Sequence, residues 1–166
     1  MFDFLVLESA QAGLNWITIL RKRERYREAF HEFDPCRVVW MTDEDVERLM
    51  RFDGIVKNRL KIRSTITNAR LFLAVQKEFG SFRDYILSFF PERKSIVHTF
   101  RSLGEIPAPS PESDAISRDM KKHGFKFFGS TSCYAYLQDW GGRRLPDGVH
   151  LRKKLTVPDE QDGKAR

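Results

Sequence analysis

One carboxylate stands out near the start of the chain because its neighbours are almost all apolar or small. Glu8 is the only charged residue in the segment LVLESAQAGLNWIT at 5–18. If this carboxylate is buried, its charge must be paired or neutralised, and the cost of doing so points to a function. The alternative is that Glu8 faces solvent, on a helix stripe opposite Leu5 and Leu14. Trp16, in the same segment, belongs to a type that is more often core than a surface for stacking a ligand.

A second candidate is a tight, glycine-centred connection between two predicted helices. The segment FDGIVKN at 52–58 has apolar residues on both sides of Gly54 and resembles a helix-hairpin-helix. Gly54 can adopt the left-handed conformation, and the N–H groups that begin the next helix attract a phosphate. We expect Lys57, Arg59 and Lys61 in the first turns of that helix, where the macrodipole disfavours cations, so their presence indicates an anionic partner. The commoner alternative is an ordinary helix corner capped by glycine.

The basic residues of the chain are clustered, which favours a polyanionic partner. The 166 residues hold 29 Lys and Arg against 23 Asp and Glu, a formal charge of +6. Residues 55–77 contain no acidic residue and six basic ones, and further basic clusters lie at 21–27 and 143–154. Nucleic acid is the natural partner for such a distribution. The alternative is that these residues form solvated helix faces.

Apolar residues repeat with the helical period along most of the chain, and no long stretch alternates as a strand would. We expect helices near 2–14, 16–30, 43–51, 57–79, 82–90, 112–123 and 131–140. Thr42 and Ser110 are predicted N-caps, the latter followed by a first-turn proline. The predicted fold class is therefore all-α, a helical bundle.

Length and composition suit one domain with a substantial core. We expect this domain to cover 1–142 and the segment 143–166 to form a basic, poorly ordered C-terminal tail, because it is rich in Gly, Pro and charge. No apolar run is long enough to span a bilayer. The two cysteines are far apart and form no CxxC pattern, which is typical of a reducing compartment, so the expected location is the cytoplasm.

Six separated motifs occur in the order found in a known family. They are LESAQAGLNWITILRKRERYREAF at 7–30, FDP at 33–35, DGIVKNRLKI at 53–62, NAR at 68–70, EIP at 105–107 and KKHGFKFFGSTSCY at 121–134. Together they resemble the DNA-3-methyladenine glycosylase I family over roughly residues 2 to 140. The resemblance implies a variant of the helix-hairpin-helix DNA glycosylase fold. It also implies an enzyme that excises 3-methyladenine from alkylated DNA without cutting the strand.

The resemblance also implies roles for particular residues. Glu8 matches the family's base-recognising glutamate and is the predicted catalytic and base-binding residue, with Trp16 as the aromatic residue of the same pocket. The predicted DNA-binding residues are Gly54, Lys57, Arg59, Lys61 and Lys126. The implied partner is double-stranded DNA containing 3-methyladenine, bound by a monomer, with no membrane partner. The family lacks the catalytic aspartate of related glycosylases, so Asp53 is not assigned that role.

The match ends at the family's structural zinc site. In the family, an N-terminal Cys and His and a C-terminal His and Cys bind the zinc ion together. The N-terminal segment that carries the first two ligands has no counterpart in this sequence. Only His150 matches a ligand, and Lys154 stands where a Cys is expected. One histidine cannot complete a tetrahedral structural zinc site, so we predict no bound zinc and no other cofactor.

Two other functions remain open on the sequence. The chain could be a non-catalytic DNA-binding remnant of the family, which keeps the hairpin and the basic faces but lacks part of the base pocket. An unrelated helical domain that binds RNA or protein would explain the charge but not the ordered series of motifs.

Overall fold

The computed structural model describes residues 1–90 and 109–142, apart from the side chains of Trp16 and of 138–142. All regular elements of this part of the chain are helical, which confirms the all-α class. The helices are α1 (Phe2–Gln11), α2 (Trp16–Arg21), α3 (Arg23–Ala29), α4 (Pro35–Val38), α5 (Asp43–Arg51), α6 (Arg59–Phe79), α7 (Phe82–Leu87), α8 (Pro111–Lys122) and α9 (Ser130–Gly142), with a 3₁₀ turn at His31–Phe33. None of these helices has the length and apolar character needed to cross a membrane. The predicted tail at 143–166 lies outside the described residues.

Side-chain caps explain why several helices begin where the sequence predicts. Thr42 and Asp45 form a reciprocal capping box at α5, which has the predicted bounds. Ser110 forms the same arrangement with Ser113 at α8, where Pro111 occupies the first turn. Each cap satisfies backbone N–H groups that a helix leaves without internal partners.

The predicted helix 2–14 and the predicted helix 16–30 are both wrong in their bounds. α1 ends at Gln11, since Ala12 leaves the helical region (φ −44°, ψ 114°) and Gly13 adopts a left-handed φ of +77°. The next segment breaks into α2 and α3 at Lys22, which closes one helix and opens the other. The break at Ala12 and Gly13 forms a corner at 12–15 between α1 and α2.

The longest helix, α6, forms the centre of the bundle. α1, α4, α5 and α7 pack against it, and α9 packs against both α1 and α8. Ile62, Ile66, Ala69 and Leu73 recur at i, i+4, i+7 and i+11, which predicts one buried helix face. The first three are buried, whereas Leu73 is only partly buried and Phe72 takes the core position beside it. The ring of Phe72 stacks on that of Phe82 with centroids 4.5 Å apart. This core places α1 alongside α6.

Candidate functional site

Glu8 lies in the interior of the protein. Its side chain is 2% exposed, and the residues around it on α1, from Leu5 to Ala10, are buried as well. The sequence-based alternative that Glu8 faces solvent is therefore wrong. α1 packs against both α6 and α9, and its residues 5–10 are all buried. Burying a carboxylate is costly unless a partner or a ligand compensates for the lost hydration, so this position is a candidate ligand contact.

The corner at 12–15 links the helix of Glu8 to the helix of Trp16. The side chain of Asn15 caps α2 by accepting a hydrogen bond from the N–H of Ile17 at 2.9 Å. Trp16 is therefore the first residue of α2. Its side chain lies outside the described part, so its role in the base pocket stays a prediction.

The connection between α5 and α6 has the glycine conformation that the sequence predicts. Gly54 has a φ of +97°, in the left-handed region. A Cβ atom at this position would lie 2.6 Å from Cγ of Arg25, so the backbone at Gly54 lies directly against that side chain. The Arg25 guanidinium covers the ring of Phe52 at 4.7 Å, and its Nε donates to the carbonyl of Asp53 at 3.2 Å. The hairpin thus rests on α3, a contact that sequence reasoning missed.

A second residue of α3 also holds the hairpin. The backbone N–H of Val56 donates to the hydroxyl of Tyr26 at 3.1 Å. Tyr26 is buried, and burial raises the pKa of its phenol, with the hydrogen bond from Val56 acting in the opposite direction. The phenol therefore stays neutral and serves as a fixed acceptor for the hairpin. In the sequence, Ile19, Tyr26 and Phe30 recur at i, i+7 and i+11, a helical spacing that predicts core residues but gives no sign of this hydrogen bond.

The basic residues of the hairpin differ in their surroundings. Lys57 lies before α6 rather than in its first turn, because Asn58 is the N-cap and Arg59 the first residue of that helix. Its Nζ lies 2.9 Å from Oδ1 of Asp53, and the hydrogen bond from Lys57 holds the pKa of that carboxyl below its usual range. Arg59 forms a two-point ion pair with Glu47 at 2.8 and 2.9 Å. Both pairs lie at the surface, with Asp53 87% exposed, and such surface pairs contribute little to stability.

Lys61 takes a different position from the one that the sequence suggests. Its Nζ donates to the carbonyl oxygens of Ala10 at 2.8 Å and Ala12 at 2.6 Å, both at the end of α1. Burial lowers the pKa of this ammonium group. The structure therefore ties Lys61 to the helix of Glu8, although the sequence groups it with the DNA-binding lysine and arginine of the hairpin.

Lys126, in the loop between α8 and α9, presents its side chain to solvent. Its backbone is held by Asn68 of α6: the Lys126 N–H donates to Oδ1 of Asn68 at 2.9 Å, and Nδ2 of Asn68 donates to the Lys126 carbonyl at 3.0 Å. Ser117 donates to the carbonyl of Phe128 at 3.1 Å and fixes the loop from its other side. The proposed DNA contact of Lys126 stays a prediction, since its exposure permits that contact but does not test it.

Replacing Asn68 by Ala is expected to destabilise the fold by about 2–3 kcal/mol, since it removes two part-buried hydrogen bonds and leaves the N–H and the carbonyl of Lys126 without their partner. Asn68 is 1% exposed, so its amide does not compete with bulk water for these two groups. Chemical denaturation would measure the free energy of unfolding. Thr67→Ala, on the exposed side of the same turn, is the matched control and should change it by about 0.5 kcal/mol or less. If the two variants lowered the free energy of unfolding equally, the hydrogen bonds of Asn68 to Lys126 would not stabilise the fold.

No group of His, Cys, Asp and Glu residues that could hold a metal ion occurs within 1–90 and 109–142. The described residues therefore do not fit the family's zinc site. His150, the one candidate ligand from the sequence, lies outside them, so the expected absence of zinc stays a prediction.

A helical fold with a buried carboxylate and a basic hairpin is the arrangement that a DNA glycosylase of the all-helical class requires, and comparison with known proteins assigns the chain to that class. The chain belongs to the methyladenine glycosylase family, whose family model matches residues 1–143. It is 45% identical over 141 residues to DNA-3-methyladenine glycosylase 1 of Escherichia coli (strain K12), covering 85% of this chain and 75% of that protein.

Solved structures agree with this assignment. One is the structure of 3-methyladenine DNA glycosylase I from Staphylococcus aureus, solved to explain how that protein recognises 3-methyladenine. It is 35% identical to this chain, with a TM-score of 0.77, and the match covers 82% of this chain and 72% of that one. A variant of 3-methyladenine DNA glycosylase I in complex with 3-methyladenine is 31% identical, with a TM-score of 0.82 over 98% of this chain and 83% of that one. The family predicted from the sequence motifs is confirmed.

Proposed function

We propose that this protein hydrolyses the N-glycosidic bond of 3-methyladenine in alkylated, double-stranded DNA, as a monofunctional glycosylase of base excision repair. The observation that carries this function is the burial of Glu8, at 2% exposure, in a member of the methyladenine glycosylase family. We infer that a monomer suffices, since one chain supplies both the buried carboxylate and the hairpin.

The chemistry of the damaged base explains why one buried carboxylate is enough for selectivity. A base within a duplex must be extruded before its glycosidic bond becomes accessible, and the extruded base is then recognised by stacking and by hydrogen bonds to its edge. Methylation at N3 gives the base a positive charge, so a carboxylate in an apolar site favours it over neutral adenine. The same charge makes the base a good leaving group. The protein therefore needs only to bind the base and to admit water to the sugar.

The hairpin is the proposed phosphate contact. Within 1–90 and 109–142, the backbone N–H groups of Arg59 and Leu60, at the first two positions of α6, have no protein acceptor. Such groups at a helix N-terminus bind phosphate well. Lys57 and Arg59 lie next to them, and their ion pairs with Asp53 and Glu47 are exposed enough to exchange for a phosphate.

Lys57→Ala is expected to weaken binding to any DNA sequence and to reduce the slope of log K against log salt by about 0.9 for each phosphate that the variant no longer neutralises. Fluorescence anisotropy with a labelled duplex, repeated across a salt series, would measure both quantities. Lys77→Ala is the matched control. Lys77 is exposed near the C-terminal end of α6, about 27 Å from Arg59 along the helix axis. An unchanged slope for Lys57→Ala would remove this residue from the interface.

The proposed activity is tested by incubating the purified protein with methylated duplex DNA and measuring free 3-methyladenine by chromatography. Release of the base without strand cleavage would support a monofunctional glycosylase. Salt-dependent DNA binding with no base release would favour the non-catalytic remnant instead. A protein that neither binds DNA nor releases base would contradict both.

A further inference from the structure

Lys61 connects the hairpin to the helix that carries Glu8. The backbone N–H of Lys61 donates to Oδ1 of Asn58, the N-cap of α6, at 3.2 Å. Its carbonyl accepts hydrogen bonds from the hydroxyls of Ser64 at 2.7 Å and Thr65 at 3.1 Å. The backbone of Lys61 is thus held within the first turns of α6. Its side chain extends from this anchored position to another helix.

The ammonium group of Lys61 lies where the end of α1 needs a donor. The last carbonyls of a helix have no partners within the helix, and the macrodipole places partial negative charge there. Lys61 donates to two of these oxygens, those of Ala10 and Ala12. No basic residue occurs in the last turn of α1 itself, so this compensation comes from α6.

These two carbonyls flank the point at which the chain leaves α1. Ala10 lies two residues after Glu8, and Ala12 is the cap after which the chain turns towards Trp16. A movement of this end would therefore displace both the buried carboxylate and the start of α2. Lys61 thus contacts the short segment that joins the two elements.

We propose that Lys61 is a positioning residue that fixes the end of α1 and the corner at 12–15, and so holds Glu8 and the start of α2 in the geometry that binds the base. This inference rests on the proposed function. If Lys61 were a phosphate contact, its replacement would lower the affinity for DNA. If it is a positioning residue, its replacement lowers the affinity for the base instead.

The test compares Lys61→Met with the wild type in three measurements. Calorimetric titration with free 3-methyladenine should give a dissociation constant about tenfold higher than that of the wild type. About tenfold is the factor by which one net hydrogen bond changes an equilibrium constant. On methylated duplex, kcat should fall while KM and the salt slope of DNA binding stay unchanged. Lys61→Arg, which retains the charge and the donors, should recover part of the base affinity. Lys77→Met, which removes an exposed lysine from the same helix, should match the wild type in all three.

Two results would overturn the proposal. One is a salt slope reduced by about 0.9 with unchanged base affinity, which would make Lys61 a phosphate contact after all. The other is unchanged base affinity and kcat in Lys61→Met, which would make its hydrogen bonds irrelevant to the site. If Lys61→Met does not fold, Lys61→Gln, which retains an N–H donor, is measured in the same way against the same outcomes. A wild type that binds no free 3-methyladenine would instead overturn the proposed function itself.

Discussion

Replacing Glu8 by Gln is expected to weaken binding of 3-methyladenine by about 1.5–3 kcal/mol, which is roughly ten- to a hundredfold in the dissociation constant. Gln keeps the size of the side chain and one acceptor oxygen but removes the negative charge. Because Glu8 is buried, water would screen little of the attraction between its carboxylate and a cationic base in the proposed pocket. Loss of that charge also removes the preference for the methylated base over neutral adenine. Base excision should fall together with base affinity.

Calorimetric titration of the free base into the wild type and the Glu8→Gln variant would measure this effect. Glu44→Gln, an exposed residue in the first turn of α5, is the matched control for loss of one carboxylate and should leave base affinity unchanged. Binding to undamaged duplex should hardly differ among the three proteins, since phosphate contacts supply most of that affinity. Equal affinities for the base in the wild type and Glu8→Gln would exclude Glu8 from base recognition.

The second large effect is expected at the hairpin glycine. Gly54→Ala should lower the free energy of unfolding by about 2–5 kcal/mol, the sum of about 1–2 kcal/mol of backbone strain and about 1–3 kcal/mol of overpacking. An L-residue at a φ of +97° is strained, and the added Cβ would lie 2.6 and 2.8 Å from Cγ and Cβ of Arg25. Those atoms are close to the Arg25 backbone, so a change of side-chain rotamer cannot clear them easily. The hairpin should shift away from α3, and DNA affinity should fall with it.

Gly80→Ala separates the two costs. Gly80 ends α6 with a φ of +86°, but the nearest atom to an added Cβ is Oδ2 of Asp84 at 3.9 Å, which is ordinary van der Waals contact. This variant should therefore show only the backbone strain, about 1–2 kcal/mol. Urea denaturation of both variants would give the comparison. If the two losses were equal, the close contact with Arg25 would contribute nothing to the requirement for glycine at position 54.

The sequence predicts a helix end or a turn correctly where residues only a few positions apart determine it. The capping box of Thr42 and Asp45 defines the start of α5 from residues three positions apart, so the predicted bounds of that helix are confirmed. The left-handed conformation of Gly54 follows similarly from a short apolar hairpin that needs a residue without a side chain. The break at Lys22 has no such signal, since no Gly or Pro marks it. There, tertiary packing overrides a continuous helical pattern.

The helical class, the hairpin, the family and the one carboxylate in an apolar segment could all be predicted from the sequence. Each of these depends on residue types and on spacing within a few turns of helix. Three features emerged only in the folded chain: the burial of Glu8, the support of the hairpin by Arg25, and the direction of Lys61 towards the end of α1. The physical reason is that burial and hydrogen bonding of a side chain depend on which distant helix lies against it. The partners of Lys61 are some fifty residues away in the chain, and no local pattern encodes that distance.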